Sequence, residues 1–87
     1  MNAIRKSPNA EGHLLLAEGE YGKSPDGTWY VRPPGCHVGS LEKHKVTEHD
    51  DGTITVSPSI LIDYSYGDPP VRISWHGYLE RGNWRQC

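Results

Sequence analysis

The chain has 87 residues, a length that fits one domain and leaves no room for a second hydrophobic core. Hydrophobic residues make up 34% of the sequence, phenylalanine is absent and the net charge is −2, which argues against a disordered chain and against a general nucleic-acid binder. No stretch approaches the roughly 18 apolar residues that a membrane span needs, and the first ten residues lack the apolar region of a secretory signal. We therefore expect a cytoplasmic protein that does not enter a membrane.

The polar residues 1–12 are expected to form a flexible leader, and residues 13–87 a single β domain. The first ordered segment is expected over residues 13–20, around the run Leu14-Leu15-Leu16. A continuous apolar run between glycines is typical of a strand that is buried on both faces, although the period alone leaves a helical turn open.

Three dipeptides predict hairpin turns along the chain: Asp26-Gly27, Asp51-Gly52 and Arg81-Gly82. Glycine adopts positive φ without steric cost, and runs rich in strand-forming residues flank these turns. The pattern predicts an all-β or β-dominated domain, a small antiparallel meander of six to seven short strands.

Proline and serine mark the remaining breaks. Ser57-Pro58-Ser59 is compatible with one helical turn, with Ser57 as its N-cap, and the following residues 60–62 could equally begin a strand. Residues 64–70 are expected to form a loop in which Tyr64 and Tyr66 are exposed. The expected core comprises Leu14, Leu15, Leu16, Trp29, Val31, Val46, Ile54, Val56, Ile60, Ile62, Val71, Ile73 and Leu79.

Two segments carry a resemblance to a known family. Residues 53–62 (TITVSPSILI) and 75–82 (WHGYLERG), preceded by Gly35-Cys36, resemble small phage and prophage proteins of unknown function that are often mislabelled as ammonia monooxygenase. The resemblance implies a β-rich fold, a mobile-element origin and a location in the host cytoplasm, but no activity. Trp75 stands where the family pattern has cysteine, so a metal ligand at that position would be missing here.

A zinc staple is one hypothesis for so small a core. Cys36, His37, His76 and Cys87 are the weak candidate ligands. Because no paired Cys-x-x-Cys spacing exists and Cys36 and His37 are adjacent, we expect no cofactor and two free thiols, with a zinc-stapled structural domain as an alternative.

Catalysis is not expected, because the sequence contains no nucleophile elbow, phosphate loop or zinc-protease helix. The aromatic and arginine residues near the C-terminus are of the types enriched in protein interfaces. We expect a non-enzymatic accessory protein that binds a protein partner, such as a host factor. A homodimer is a possible form of this protein. The alternative function is a single-stranded nucleic-acid-binding domain that uses the same surface. The candidate binding residues are Tyr64, Tyr66, Trp75, His76, Tyr78, Arg81 and Trp84; the alternative for Trp75 and Trp84 is that they pack across the last hairpin and anchor the core.

Overall fold

A computed structural model describes all residues 1–87, and it is all-β with no helix. This confirms the expected fold class, with nine strands in place of six to seven, arranged in sheets of four, two and three strands. No element of the structure is a helix that could span a membrane. The strands are β1 (Ile4–Lys6), β2 (Glu20–Lys23), β3 (Trp29–Val31), β4 (Gly39–Ser40), β5 (Lys45–Glu48), β6 (Ile54–Ser57), β7 (Ile60–Tyr66), β8 (Val71–Glu80) and β9 (Asn83–Gln86).

The three glycine turns are confirmed as the closures of hairpins β2–β3, β5–β6 and β8–β9. In the first two, the aspartate before the glycine accepts a hydrogen bond from a backbone amide beyond the turn. The amide of Thr28 donates to Asp26 Oδ1 at 2.9 Å, and that of Thr53 donates to Asp51 Oδ1 at 3.0 Å. Aspartate therefore shapes these turns through its side chain, while glycine supplies the positive φ.

The N-terminal residues contribute a strand that the sequence interpretation does not contain. β1 pairs in parallel with β2, and the order of the first sheet is β1-β2-β3-β4. The amide of Ala3 donates to the carbonyl oxygen of Gly82 at 2.7 Å, and the amide of Trp84 donates to that of Met1 at 2.8 Å. The start of the chain is thus hydrogen-bonded to the last hairpin.

One local expectation is wrong, and of the two alternatives left open at residues 57–62 the strand is confirmed. The leucine run forms no strand, because it has no partner strand and β2 begins only at Glu20; Leu16 is buried but Leu15 is 65% exposed. The helical turn near Ser57 is absent, because Ser57 still pairs in β6 and Ile60 already begins β7, which leaves two residues between the strands. That spacing is too short for a turn of helix.

The core joins residues from all three sheets. Of the expected core, five residues lie in the buried cluster and four pack against it, whereas Leu15 and Val71 are exposed. The sequence interpretation omits five members of the cluster. The ten buried residues are Tyr21, Val31, Cys36, Leu41, Ile54, Val56, Ile60, Trp75, Leu79 and Trp84.

The expected loop at residues 64–70 is only partly a loop, because its first three residues belong to β7. β7 continues through Tyr66, which pairs with Val71, and only residues 67–70 form the turn. Tyr64 pairs with Ile73 in the same ladder. The reason is that alternation of side chains runs unbroken along both strands to the tip, so the two tyrosines occupy regular strand positions.

Candidate partner-binding surface

The sheet β7-β8-β9 has two chemically different faces. The core face is apolar except for Gln86 at the end of β9, and the outer face is mostly polar with Leu61 as its exposed apolar member. Register and alternation place these residues on the core face: Ile60, Ile62, Tyr64, Tyr66, Val71, Ile73, Trp75, Gly77, Leu79 and Trp84. The outer face contains Leu61, Asp63, Ser65, Arg72, Ser74, His76, Tyr78, Glu80 and Arg85.

The half of the core face near β9 is closed by the rest of the domain. The rings of Trp75 and Trp84 meet edge to face with centroids 5.6 Å apart, and both side chains are buried. Trp84 Nε1 donates to the carbonyl oxygen of Gly19 at 3.0 Å. The interpretation of these two tryptophans as surface residues is therefore wrong, because they fill the core of a domain that has few large apolar side chains.

The half of the core face near the β7–β8 turn is open. Here His37, from the loop before β4, covers the two tyrosines of β7: its ring centroid lies 4.9 Å from that of Tyr64 and 6.2 Å from that of Tyr66. The tyrosine rings are stacked at 6.3 Å. Tyr66 is 53% exposed and its ladder partner Val71 is 47% exposed. We call the residues His37, Tyr64, Tyr66, Val71 and Ile73 the aromatic patch.

β4 lies over the core face next to the aromatic patch. Ile62, which precedes the tyrosines on the same face, lies against Gly39, where an added Cβ would stand 3.1 Å from Ile62 Cδ1. A side chain at position 39 would require Ile62 to shift by a few tenths of an ångström, so glycine allows the closest approach of β4. β4 therefore covers the core face at Ile62, whereas Tyr66 and Val71, nearer the turn, are about half exposed.

Charges on the outer face are neutralised within the sheet. Arg72 donates to Asp63 through two hydrogen bonds of 2.9 and 2.8 Å, which hold the pKa of the Asp63 carboxyl below its ordinary value. Arg85 binds Glu80, with its Nε 3.0 Å from Oε1, and its guanidinium lies 4.8 Å above the ring of Tyr78. The arginines thus have carboxylate partners.

The remaining candidates lie apart from the aromatic patch. His76 and Tyr78 are on the outer face, where His76 Nε2 is 2.9 Å from Ser59 Oγ. Arg81 lies in the β8–β9 turn, and its backbone amide donates to Thr55 Oγ1 at 3.0 Å. Of the seven sequence candidates, Tyr64 and Tyr66 come together on the aromatic patch, and His76 and Tyr78 share the outer face of the sheet. Sequence reasoning missed His37 as the neighbour of Tyr64 and Tyr66 because the contact joins segments that are distant in the chain.

The four weak metal candidates do not form a cluster. Both cysteines are free: Cys36 is part of the core, where burial raises the pKa of its thiol, and Cys87 is exposed. His37 stacks against tyrosine and His76 contacts serine. No group of three or more His, Cys, Asp or Glu side chains is placed to hold a metal ion.

Three shallow clefts open elsewhere on the surface, with volumes of about 410, 420 and 480 Å³. The second and third share His49 and Arg81, and there His49 Nε2 lies 2.7 Å from Thr55 Oγ1. Because the same hydroxyl accepts the amide of Arg81, these contacts tie hairpin β5–β6 to the β8–β9 turn.

Comparisons of the chain with protein-family models, with curated proteins and with solved structures find no match.

Proposed function

We propose that this protein is a non-enzymatic binding module that captures a protein partner on the aromatic patch. The observation that supports the proposal is the continuation of the apolar core face of β7 and β8 beyond the part covered by the domain. Tyrosine combines a large apolar ring with a polar hydroxyl, which makes it one of the residues enriched at interface centres.

The size of the aromatic patch suits a protein surface. Tyr66 and Val71 are each about half exposed, and Tyr64 and Ile73 are partly exposed. With about 150–250 Å² of surface for each large aromatic side chain, the patch is on the order of 300–400 Å². Contiguous apolar patches of that size on small domains are often functional. A partner with an apolar surface would cover it.

Electrostatics favours a protein over a nucleic acid. The aromatic patch contains no lysine or arginine, whereas single-strand binders combine stacked aromatic residues with cations that follow the phosphates. The cations of this sheet are on the opposite face, where Arg72 and Arg85 are bound by Asp63 and Glu80. The aromatic and arginine surface expected for nucleic acid is thus divided between two faces. A host protein, the partner class that the phage resemblance points to, stays a prediction.

The test is capture of a partner from host-cell lysate, with and without nuclease treatment, by the wild-type chain and by two variants. Tyr64→Ser/Tyr66→Ser removes the aromatic rings of the patch, and Tyr78→Ser removes one ring from the opposite face of the same sheet. We expect the double variant to lose a partner that the Tyr78 variant retains, with both variants folded by circular dichroism. Retention by the double variant with loss in the Tyr78 variant would contradict the proposal. So would a ligand that disappears on nuclease treatment.

A further inference from the structure

The β7 strand has one unpaired edge. It pairs with β8 on one side, and none of the backbone hydrogen bonds outside the ladders involves residues 60–66. β7 is seven residues long, so about 23 Å of backbone N–H and C=O groups face away from β8 on that side. An edge of this length and apolar character is a template for another strand.

We propose that a second copy of this chain occupies this edge, with the two β7 strands antiparallel and a two-fold axis at Asp63. The β7 sequence is self-complementary in this register. On the core face, Ile60 of one copy lies opposite Tyr66 of the other, an aliphatic–aromatic pair of the kind that stabilises sheets. Ile62 lies opposite Tyr64 in the same way, and Leu61 lies opposite Ser65 on the outer face. The result is a continuous six-stranded sheet.

The other open edge of the hairpin is less suitable. β9 already occupies that side of β8 from Gly77 onwards, and the amide of Cys87 donates to the carbonyl oxygen of His76. Only residues 71–75 remain unpaired there, five against seven on β7. A strand added to β8 would meet the end of β9, whereas β7 is unobstructed by any paired strand.

The centre of the proposed interface requires neutralised carboxylates. The two-fold axis places Asp63 opposite Asp63, and like charges directly opposite each other destabilise a strand pair. In this chain Arg72 binds each Asp63 with two hydrogen bonds across the outer face. The ion pair therefore removes the repulsion that an unpaired aspartate would introduce.

The dimer would also enlarge the binding surface, a consequence that rests on the proposed function. A two-fold axis perpendicular to the sheet keeps both core faces on one side, so the two aromatic patches become neighbours. Their sum is at most about 600–800 Å², less the area that the cross-strand pairs bury, and it approaches the roughly 800 Å² that each partner contributes to a standard protein interface. One patch alone is about half that size. The second copy supplies the missing area.

The test is sedimentation equilibrium of the purified chain from micromolar to near-millimolar concentrations. We expect a reversible monomer–dimer equilibrium. Two matched variants test the register, since position 61 of one copy lies opposite position 65 of the other. Leu61→Glu/Ser65→Glu places like charges opposite each other twice, and Leu61→Lys/Ser65→Glu places opposite charges there. Both variants contain Ser65→Glu, which lies opposite Arg72 of the same chain, so they differ only in the charge at position 61.

The oppositely charged variant is expected to dimerise about tenfold or more tightly than the like-charged one, from two cross-strand pairs. Arg72→Ala should weaken the dimer, and Asp63→Asn in the same chain should restore it. A wild-type chain that stays monomeric throughout the range overturns the proposal. Equal dimer affinities of the two matched variants overturn it as well.

The outcomes of the two proposals are separable. Sedimentation uses the purified chain alone, whereas partner capture is read by the loss that Tyr64→Ser/Tyr66→Ser causes. A monomeric chain that still captures its partner through the tyrosines would remove the second copy and leave the proposed function standing. A dimer whose tyrosine variant retains every captured protein would do the reverse.

Discussion

The turn between β8 and β9 contains a residue that is expected to cost stability. Arg81 has φ +46° and Gly82 has φ +75°, so both central positions of the turn lie at positive φ. This is the pattern of a type I′ hairpin turn, in which the first position favours asparagine. A residue with an ordinary side chain in the left-handed region costs roughly 1–2 kcal/mol, and asparagine tolerates it better. Replacement of Arg81 by asparagine should relieve part of that cost.

The replacement of Arg81 removes no polar side-chain interaction of the folded protein. The guanidinium of Arg81 makes no hydrogen bond or ion pair within the chain, and the bond from its backbone amide to Thr55 Oγ1 does not depend on the side chain. We expect Arg81→Asn to raise the free energy of unfolding by about 0.5–1 kcal/mol. For a domain of this size, 1 kcal/mol corresponds to about 4–8 °C in Tm.

The assay is thermal and urea unfolding followed by tryptophan fluorescence. Arg81→Val is the matched opposite, because a β-branched side chain is poorly compatible with positive φ and should lower the Tm. An asparagine variant no more stable than wild type, or a valine variant equal to it, would refute the argument from backbone strain. Since Arg81 is outside the aromatic patch, partner capture by the asparagine variant should be unchanged.

Three further predictions concern the same sheet. Gly77→Ala should lower the free energy of unfolding by about 1–3 kcal/mol in urea titrations, because a Cβ there would stand 2.7 Å from the ring of Trp75 and closer still to the backbone of β9. Trp84→Phe should cost about 1–3 kcal/mol in the same assay, since it removes both ring volume and the bond to Gly19. Arg72→Ala should raise the pKa of Asp63 towards its ordinary value, as read by carboxyl NMR titration. Because the folded-state pKa of Asp63 is depressed, the ion pair stabilises the wild-type fold above the ordinary pKa, and this stabilisation is lost as the pH falls through the lowered pKa. If Asp63 titrated in the variant at the same pH as in the wild type, Arg72 would not be the cause of the depressed pKa.

The turns could be predicted from sequence because their chemistry is local. In Asp26-Gly27 and Asp51-Gly52 the glycine supplies positive φ and the aspartate accepts a nearby amide, all within a few residues. Such contacts form wherever these residues occur between strand-forming runs. The strand pairs that flank the turns follow from them directly, and so does the all-β class.

Which part of the β7–β8 core face is buried by the rest of the domain could not be predicted in the same way. Val71 and Ile73 alternate with polar residues as regularly as Trp75 and Leu79 do, and all four face the same side of β8. Alternation fixes which face a side chain takes, but burial depends on which distant segment lies over that face. Here β4 lies over Ile62 whereas Tyr66 and Val71 are about half exposed, so the alternating pattern continues beyond the core without any change in the sequence signal.

In the candidate site, too, local features could be predicted from the sequence and burial could not. Tyr64 and Tyr66 are two residues apart, which places them on one face of any strand, whereas Trp75 and Trp84 could equally be surface or core on sequence grounds. Both are buried in a cluster with residues of the other sheets, and Trp84 donates to the carbonyl oxygen of Gly19, which is distant in the chain. The parallel pairing of β1 is similarly non-local, and no pattern within residues 1–12 indicates it.

The buried and open halves of the β7–β8 hairpin depend on each other. An isolated two-stranded hairpin is only marginally stable in water, and the open half has no third strand. Its order comes from the closed half, where β9 adds a strand and Trp75 packs against Trp84. A surface that is already ordered loses little conformational entropy when a partner binds, about 0.5–1.5 kcal/mol less for each side chain that need not be immobilised. The core of this small domain therefore contributes to binding by holding Tyr64 and Tyr66 in register before any partner arrives.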